Sequence, residues 1–421
     1  MKNVKKYIFK IITSTGSGTG FFLEGFELMI TNFHVVAGQR SVAIEDHGKN
    51  RYLAQVVMAN PEVDLAFLRT GEFSGATGGI TRPSPGYRVE ELQQVFICGF
   101  PFGMPYTVTE GIVSSADQPM GGRKYLQTDA AVNPGNSGGP VLDEHGVMVG
   151  VTTAKFTRAD NVGFAIKWQD VLQEIDDFHF EDDTYRVRCH SCGFYLEKES
   201  KFCPSCGNDI NPAAFSETKL SALGEFVELT LREMEINPVL CRVGRDHWSF
   251  HRGSAEVTVT KLSGEFLYAL APVNEMPKGE TYGLLKYINS DPIPPYQLKI
   301  KDNIIFLTYI RHLYDVFSPA YSDEVKSELK KLIDKADEMD DFLLREYHCP
   351  YSMYTRTITH VPGGKQDSNK DEMELAVKSP GCELDEQEIV DRLEFLKNLY
   401  ERKLIDESEY KAKKQEVLDA L

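Results

Sequence analysis

Nowhere does this 421-residue chain contain the run of roughly 20 apolar residues that a membrane-spanning helix requires. Basic residues are in deficit, 46 Lys and Arg against 63 Asp and Glu, and the resulting formal charge of −17 excludes a general nucleic-acid binder. The acidity reads most simply as a solubilising surface. No export signal is expected either. The opening Met1 to Ile12 carries lysines before apolar residues, but its apolar run is short, Lys10 interrupts it and no small-residue cleavage site follows. It alternates as a first strand would, and the expected location is cytoplasmic. Cysteines number eight, and without an oxidising compartment they are not expected to pair as disulfides. A chain of this length exceeds a single core and should hold three or more units.

The most informative segment is Asn133-Pro-Gly-Asn-Ser-Gly-Gly-Pro140. Glycines on both sides of Ser137 permit a sharp turn in which the amides of Gly135 and Ser137 converge where an acyl-transfer oxyanion would form. A glycine-rich loop alone is weak, since Gly-Gly-Pro also punctuates ordinary turns. Two upstream segments strengthen it. Thr31-Asn-Phe-His34-Val-Val-Ala places a histidine at the end of an apolar strand, and Pro61-Glu-Val-Asp64-Leu-Ala-Phe-Leu places a carboxylate at the start of another. A serine hydroxyl is a poor nucleophile at neutral pH and needs a base. His34 would take its proton and later return it to the leaving amine, while Asp64 would hold the other ring nitrogen. The order His34, Asp64, Ser137 is that of the chymotrypsin-type triad.

On these segments residues 5–178 resemble the trypsin-like serine proteases of the HtrA/Deg type. Gly16-Ser-Gly-Thr-Gly-Phe21, Gly99-Phe-Pro-Phe-Gly103, Val108-Thr-Glu-Gly-Ile-Val-Ser and Gly163-Phe-Ala-Ile166 add to the resemblance. It implies an all-β chymotrypsin-like double barrel over residues 1–180, endopeptidase activity through an acyl-enzyme, and an oxyanion hole of Gly135, Asn136 and Ser137. The family's usual PDZ domain is not legible downstream. Cleavage after Lys or Arg wants an acid six residues before the serine, where Ala131 stands, so a small or apolar substrate side chain is expected. The pocket walls are expected from Thr152 to Thr157 and Asn161 to Phe164.

Over residues 185–212, Cys189-x2-Cys192 and Cys203-x2-Cys206 form two knuckles, each followed by glycine and separated by ten residues. Four thiolates on two tight turns are the pattern of a zinc ribbon, and structural Zn2+ is the expected cofactor. Disulfides or a redox-active Cys-x-x-Cys are the alternatives. His190 is not expected as a ligand, because the sulfurs already number four. Metal would supply most of the folding energy of so small a unit. Cys98, Cys241, Cys349 and Cys382 read as structural thiols.

Residues 213–362 read as an α-β-β-β-α-β-β-α domain. Leu220, Leu223, Phe226, Val227 and Leu231 have helical spacing. Strand-like runs follow at Val239–Phe250, Ala255–Leu262 and Glu265–Val273, then a helix over Thr281–Ser290. A hairpin should turn at Asp302-Asn303, and Ser322 opens a helix with Val325, Leu329, Leu332, Ile333 and Ala336 inward. His247, Trp248 and His251 read as one half-buried sheet face. This order resembles the YbjN-type relatives of type III secretion chaperones, which implies binding of another polypeptide or self-pairing. Residues 363–382 are a polar flexible linker. Asp385-x-x-Glu388 and Asp406-x-x-Glu409 are capping boxes that open two amphipathic helices within 383–421. That helical hairpin resembles the SHOCT domain, and docking or self-association is expected of it.

The whole is a multidomain chain: double barrel, small zinc ribbon, α+β chaperone-like domain and C-terminal helical hairpin. The first functional reading is a cytoplasmic serine endopeptidase acting on polypeptide, regulated or targeted by its C-terminal protein-binding modules, as in bacterial stress or defence. The second is a catalytically silent protein-binding scaffold that retains the protease fold. A third is an esterase-like hydrolase of non-protein substrates. Neither nucleic acid nor a membrane span enters any of them.

Overall fold

Short runs of β-branched and aromatic residues dominate the first half of the chain, and they pair as antiparallel strands. The computed structural model describes residues 4–71, 73, 78–155, 162–252 and 255–352. The linker and helical hairpin expected at 363–421 lie outside the described residues.

Six strands close the first barrel: β1 Ile8–Ile12, β2 Ser17–Phe22, β3 Met29–Thr31, β4 Ser41–Glu45, β5 Arg51–Asn60 and β6 Leu65–Thr70. The ring runs β1-β2-β3-β6-β5-β4 and returns to β1. Alternation decides which side chains enter it. Phe9 and Ile11 of β1 join Phe22, Met29, Val42, Ile44, Val56 and Leu68 inside the barrel, while Ile8 points out to the seam with the next one. The expected strand begins only at Ile8, because Val4–Tyr7, with Lys5 and Lys6 side by side, forms a 3₁₀ turn.

A second closed barrel is built from β7 Gln94–Gly99, β8 Thr107–Met120, β9 Arg123–Thr128, β10 Pro140–Asp143, β11 Met148–Lys155 and β12 Gly163–Lys167. Val95, Ile97, Val113, Leu126, Val141 and Val149 fill it. A larger cluster joins the two barrels: Phe21, Leu23, Phe67, Phe100, Leu142 and Val151, covered by Trp168, Val171 and Ile175 of a helix spanning Trp168–Asp177. Two packed six-stranded barrels are the arrangement of the chymotrypsin-like fold expected from the sequence.

The cysteine-rich segment is attached to the first barrel by backbone pairing. Its strand β13 (Arg186–Arg188) runs parallel to the end of β5, Arg186 opposite Met58 and Val187 opposite Ala59. β14 (Tyr195–Leu196) then pairs with β13.

Beyond it, β15 Arg242–Gly244, β16 His247–Arg252, β17 Ala255–Leu262, β18 Phe266–Glu275, β19 Gln297–Lys301 and β20 Ile304–His312 form an antiparallel sheet ordered β15-β16-β17-β18-β20-β19. The helices Ala222–Glu233 and Ser322–Tyr347 cover one core with it, Leu231, Leu329 and Leu332 meeting Trp248, Val259 and Leu307. The hairpin turn does fall at Asp302-Asn303, both with positive φ (51° and 62°), as a tight primed turn requires. The expected strand Val239–Phe250 is broken. Asn237 accepts a hydrogen bond from the Val239 amide and opens a helical turn at Pro238–Cys241, a position that suits proline, and Asp246 with φ 51° then divides β15 from β16. Ser322 is the first residue of the long helix but provides no side-chain cap. In β16, Trp248 and Phe250 are buried, whereas His247 is half-buried and His251 exposed: alternation along the strand divides between two faces the three residues read as one.

This sheet module is tied to the first barrel by polar contacts. Arg51 donates to the carbonyls of Leu240 (3.0 Å) and Arg242 (3.1 Å), and Thr218 donates to Gly38 O at 2.8 Å. Arg242 forks onto the fully buried Glu228 at 2.7 and 3.0 Å and also reaches Gln39 at 3.3 Å. Among the described residues, Arg242→Ala would leave Glu228 with only the largely exposed Arg232 as a cation. It is therefore expected to cost about 3–5 kcal/mol, read as a lower urea midpoint by tryptophan fluorescence, whereas Arg345→Ala on the exposed helix face should shift the midpoint little.

Candidate functional site

His34 lies in a single helical turn, Phe33–Val36, directly after β3, and Asp64 ends the β5–β6 connection. Asp64 has a left-handed backbone, φ 62°, a strained conformation that aspartate tolerates better than most residues. It is held there by its carbonyl, which accepts from Phe33 N at 3.2 Å and Asn32 Nδ2 at 2.9 Å. The carboxylate then faces His34, taking the backbone amide at 3.0 Å on Oδ1 and contacting Nδ1 at 2.8 Å through Oδ2. The other ring nitrogen, Nε2, is left for a substrate or nucleophile. The side chain of His34 is 47% exposed, so the base is open to an incoming chain.

Ser137 arrives from the second barrel on the loop between β9 and β10. Gly135 and Gly138 have φ of 100° and 82°, and added Cβ atoms there would lie 2.3 Å from Phe100 O and from Thr19 O. Only glycine fits at either place. Thr19 of β2 clamps this loop from the first barrel, its Oγ1 donating to Gly135 O at 2.6 Å and its amide to Ser137 O at 2.9 Å. The Asn136 amide closes a turn onto Asn133 O at 2.9 Å. Among the described residues, the amides of Gly135 and Ser137 have no protein acceptor, which leaves that pair to receive an oxyanion. Asn136 stays a buried wall of the loop.

The three sequence-predicted residues meet around Thr153 of β11. Its Oγ1 donates to Asp64 Oδ2 at 2.5 Å, and its carbonyl accepts the Ser137 hydroxyl at 3.3 Å. Among the described residues no hydrogen bond joins Ser137 Oγ to His34, so the hydroxyl rests on Thr153. Such bonds are commonly loose without substrate. The sequence reading had Thr153 only as pocket wall, and nothing local marks it: it reaches Asp64 solely because β11 crosses beneath the seam. Thr19 and Asn32 escaped notice for the same reason. Ala131, at the expected specificity position, is exposed and accepts a bond from Thr109 at its carbonyl. Thr152 is buried beside the serine loop and Phe164 lies in β12, while residues 156, 157 and 161 of the expected walls lie outside the described residues.

The cysteines form a second cluster. The Sγ atoms of Cys189, Cys192, Cys203 and Cys206 all lie within 4.8 Å of one another, with cross-knuckle separations of 3.8 Å (Cys189–Cys206) and 3.6 Å (Cys192–Cys203). A tetrahedron with metal–sulfur bonds of about 2.3 Å has edges of about 3.8 Å, so the donor set could hold one such ion. The two knuckles repeat one geometry: Gly193 N bonds Cys189 O (2.9 Å), Gly207 N bonds Cys203 O (2.8 Å), and both glycines have φ near 75–79°. Cys98, Cys241 and Cys349 are buried and apart, with burial raising the thiols of Cys98 and Cys349 to about 11 and Cys241 to about 12.

Residues 18–151 match the family described as "Trypsin-like peptidase domain". The chain is 36% identical over 160 residues to the magnetosome formation protease MamE of Paramagnetospirillum magneticum, covering 35% of this chain and 22% of that one. It is 35% identical over 164 residues to Protease Do-like 1, chloroplastic, of Arabidopsis thaliana, 36% of each chain. It is 33% identical over 176 residues to a probable periplasmic serine endoprotease DegP-like of Marinomonas sp., covering 40% of this chain and 37% of the relative. The chain thus spans well under half the length of each of these relatives. Among solved structures, the serine endoprotease from Yersinia pestis aligns over 42% of this chain and 63% of its own, at a TM-score of 0.37 and 23% identity. Residues 18–151 are thus similar to trypsin-like peptidase domains, including those of DegP-like and Do-like proteases.

Proposed function

We propose that this protein is a serine endopeptidase. The observation that carries the reading is the convergence on Thr153 of a carboxylate-held histidine and a glycine-wrapped serine, beside two amides without acceptors. In the reaction, the Ser137 hydroxyl leaves Thr153 O, His34 Nε2 takes its proton, and Oγ adds to the scissile carbonyl. The Gly135 and Ser137 amides receive the oxyanion. His34 returns the proton to the leaving amine, and water then repeats the sequence on the acyl-enzyme. Asp64 fixes the histidine tautomer throughout. With Ala131 and no acid at the specificity position, small or apolar side chains are the proposed preference.

The four sulfurs are proposed to bind structural Zn2+, which suits a reducing, cytoplasmic setting. The sheet module and the C-terminal segment are proposed as protein-binding elements that recruit substrates or regulators. A silent scaffold is the second reading, favoured by the resting of Ser137 on Thr153 rather than on His34.

Fluorophosphonate labelling and peptide cleavage by the full chain decide between them. Labelling is expected at Ser137 and absent from Ser137→Ala. Folded full-length protein that neither labels nor cleaves would support the scaffold. Asp64→Asn should slow labelling about 10⁴-fold through loss of the correct tautomer. Thr153→Val, which removes one hydrogen bond to a charged group, should slow it about 10- to 100-fold with little change in KM. Elemental analysis should return one zinc per chain for the wild type, and none for Cys189→Ser/Cys206→Ser.

A further inference from the structure

The connection that carries Asp64 is tied, on its far side, to the cysteine-rich segment. Asn60, wholly buried at the end of β5, accepts the amides of Glu62 (3.2 Å) and Val63 (3.3 Å) on its Oδ1 and so caps the turn that delivers Asp64. Its Nδ2 donates to Glu174 Oε1 at 3.0 Å. Glu174, on the helix Trp168–Asp177, is 3% exposed. The same Oε1 is paired with Arg188, whose guanidinium also grips Asp177. Arg188 ends β13 and directly precedes Cys189. A side-chain chain thus runs Arg188, Glu174, Asn60, turn, Asp64.

A carboxylate buried this deeply is costly unless paired, and an apolar side chain at 174 would satisfy packing alone. Burial raises the Glu174 carboxyl, and the Arg188 charge opposes the rise. What the ion contributes is an oriented acceptor for Asn60. That matters because the left-handed Asp64 lies in a turn rather than in a strand or helix, and the turn, together with the bonds from Phe33 and Asn32, must aim its carboxylate squarely at His34.

We propose that Arg188, Glu174 and Asn60 are positioning residues for Asp64, so that the cysteine-rich segment sets the alignment of the His34–Asp64 pair. The proposal rests on the triad reading above, and its test has one readout that does not need hydrolysis. In the full chain, the His34 Nδ1–H held by Asp64 gives a downfield proton resonance, assigned by its loss in His34→Gln. Asn60→Ser keeps a short hydroxyl to cap the turn but does not reach Glu174. It is expected to shift or broaden that resonance and to slow fluorophosphonate labelling of Ser137 about 10- to 100-fold, the effect of a small misplacement. Glu174→Ala should do the same, whereas Glu174→Gln, which keeps the acceptor oxygen, should stay near wild type in both. Folded Asn60→Ser and Glu174→Ala proteins with wild-type resonance and rate would overturn the proposal. So would a wild-type chain that lacks the resonance. A resonance that responds in a chain that never labels would uphold the relay and refute the hydrolase reading instead. Should Glu174→Ala fail to fold, Asn60→Ser decides alone.

Discussion

Everything at the candidate site depends on how the two barrels are locked together, and that lock is a short polar seam centred on Thr19. Its side-chain hydroxyl and its backbone amide donate to Gly135 O and Ser137 O, respectively, across the interface, and the Thr31 hydroxyl in turn donates to Thr19 O at 2.7 Å. Thr19 and Thr31 are both buried. A buried hydroxyl without a partner is expensive, so these bonds fix the spacing of the barrels more sharply than apolar packing would. The large apolar cluster at the seam brings the barrels together, and the threonines set the register. Glycines at 135 and 138 follow from that closeness, since no Cβ has room there.

The rest of the described chain bears on the same small region from the first barrel's side. β13 pairs with the end of β5, the strand that leads to Asp64. The segment entering the sheet module bonds Gly38 and Arg40, a few residues after His34, at 2.8 and 2.7 Å. Arg242 reaches Gln39 between them. Both loops that carry the acid–base pair are therefore braced by residues distant in sequence. A free-standing double barrel would leave those loops to solvent. Here their backbone is held by neighbours that carry a cluster of four cysteine sulfurs and a buried ion pair.

Local chemistry made a good part of this legible. The serine loop declares itself because only glycine tolerates its backbone, and the histidine and aspartate lie at strand ends where a reversal of hydrophobic alternation is easy to see. The Asp302-Asn303 turn was readable because two adjacent residues of that kind accept positive φ. The strand expected over Val239–Phe250 failed because an Asn-Pro start to a helical turn outweighed a run of apolar residues. The bonds of Thr153 to Asp64 and of Asn60 to Glu174 could not be read from the sequence. Thr153 and Asn60 are each an unremarkable polar residue in a strand, and these two bonds span 89 (Thr153 to Asp64) and 114 (Asn60 to Glu174) positions of the chain.

By itself the sequence determined which groups have the chemistry: a serine in a glycine wrapping, a histidine and a carboxylate in workable order, and four thiols on matched turns. These depend on residue type and on backbone freedom over a few positions. Tertiary structure alone decided how they stand to one another: that Thr153 joins Asp64 to Ser137, that Ser137 rests off His34, and that a buried carboxylate links the cysteine-rich segment to the Asp64 turn. Such contacts arise where strands cross, and their energies depend on burial and direction, which no local pattern of residues encodes.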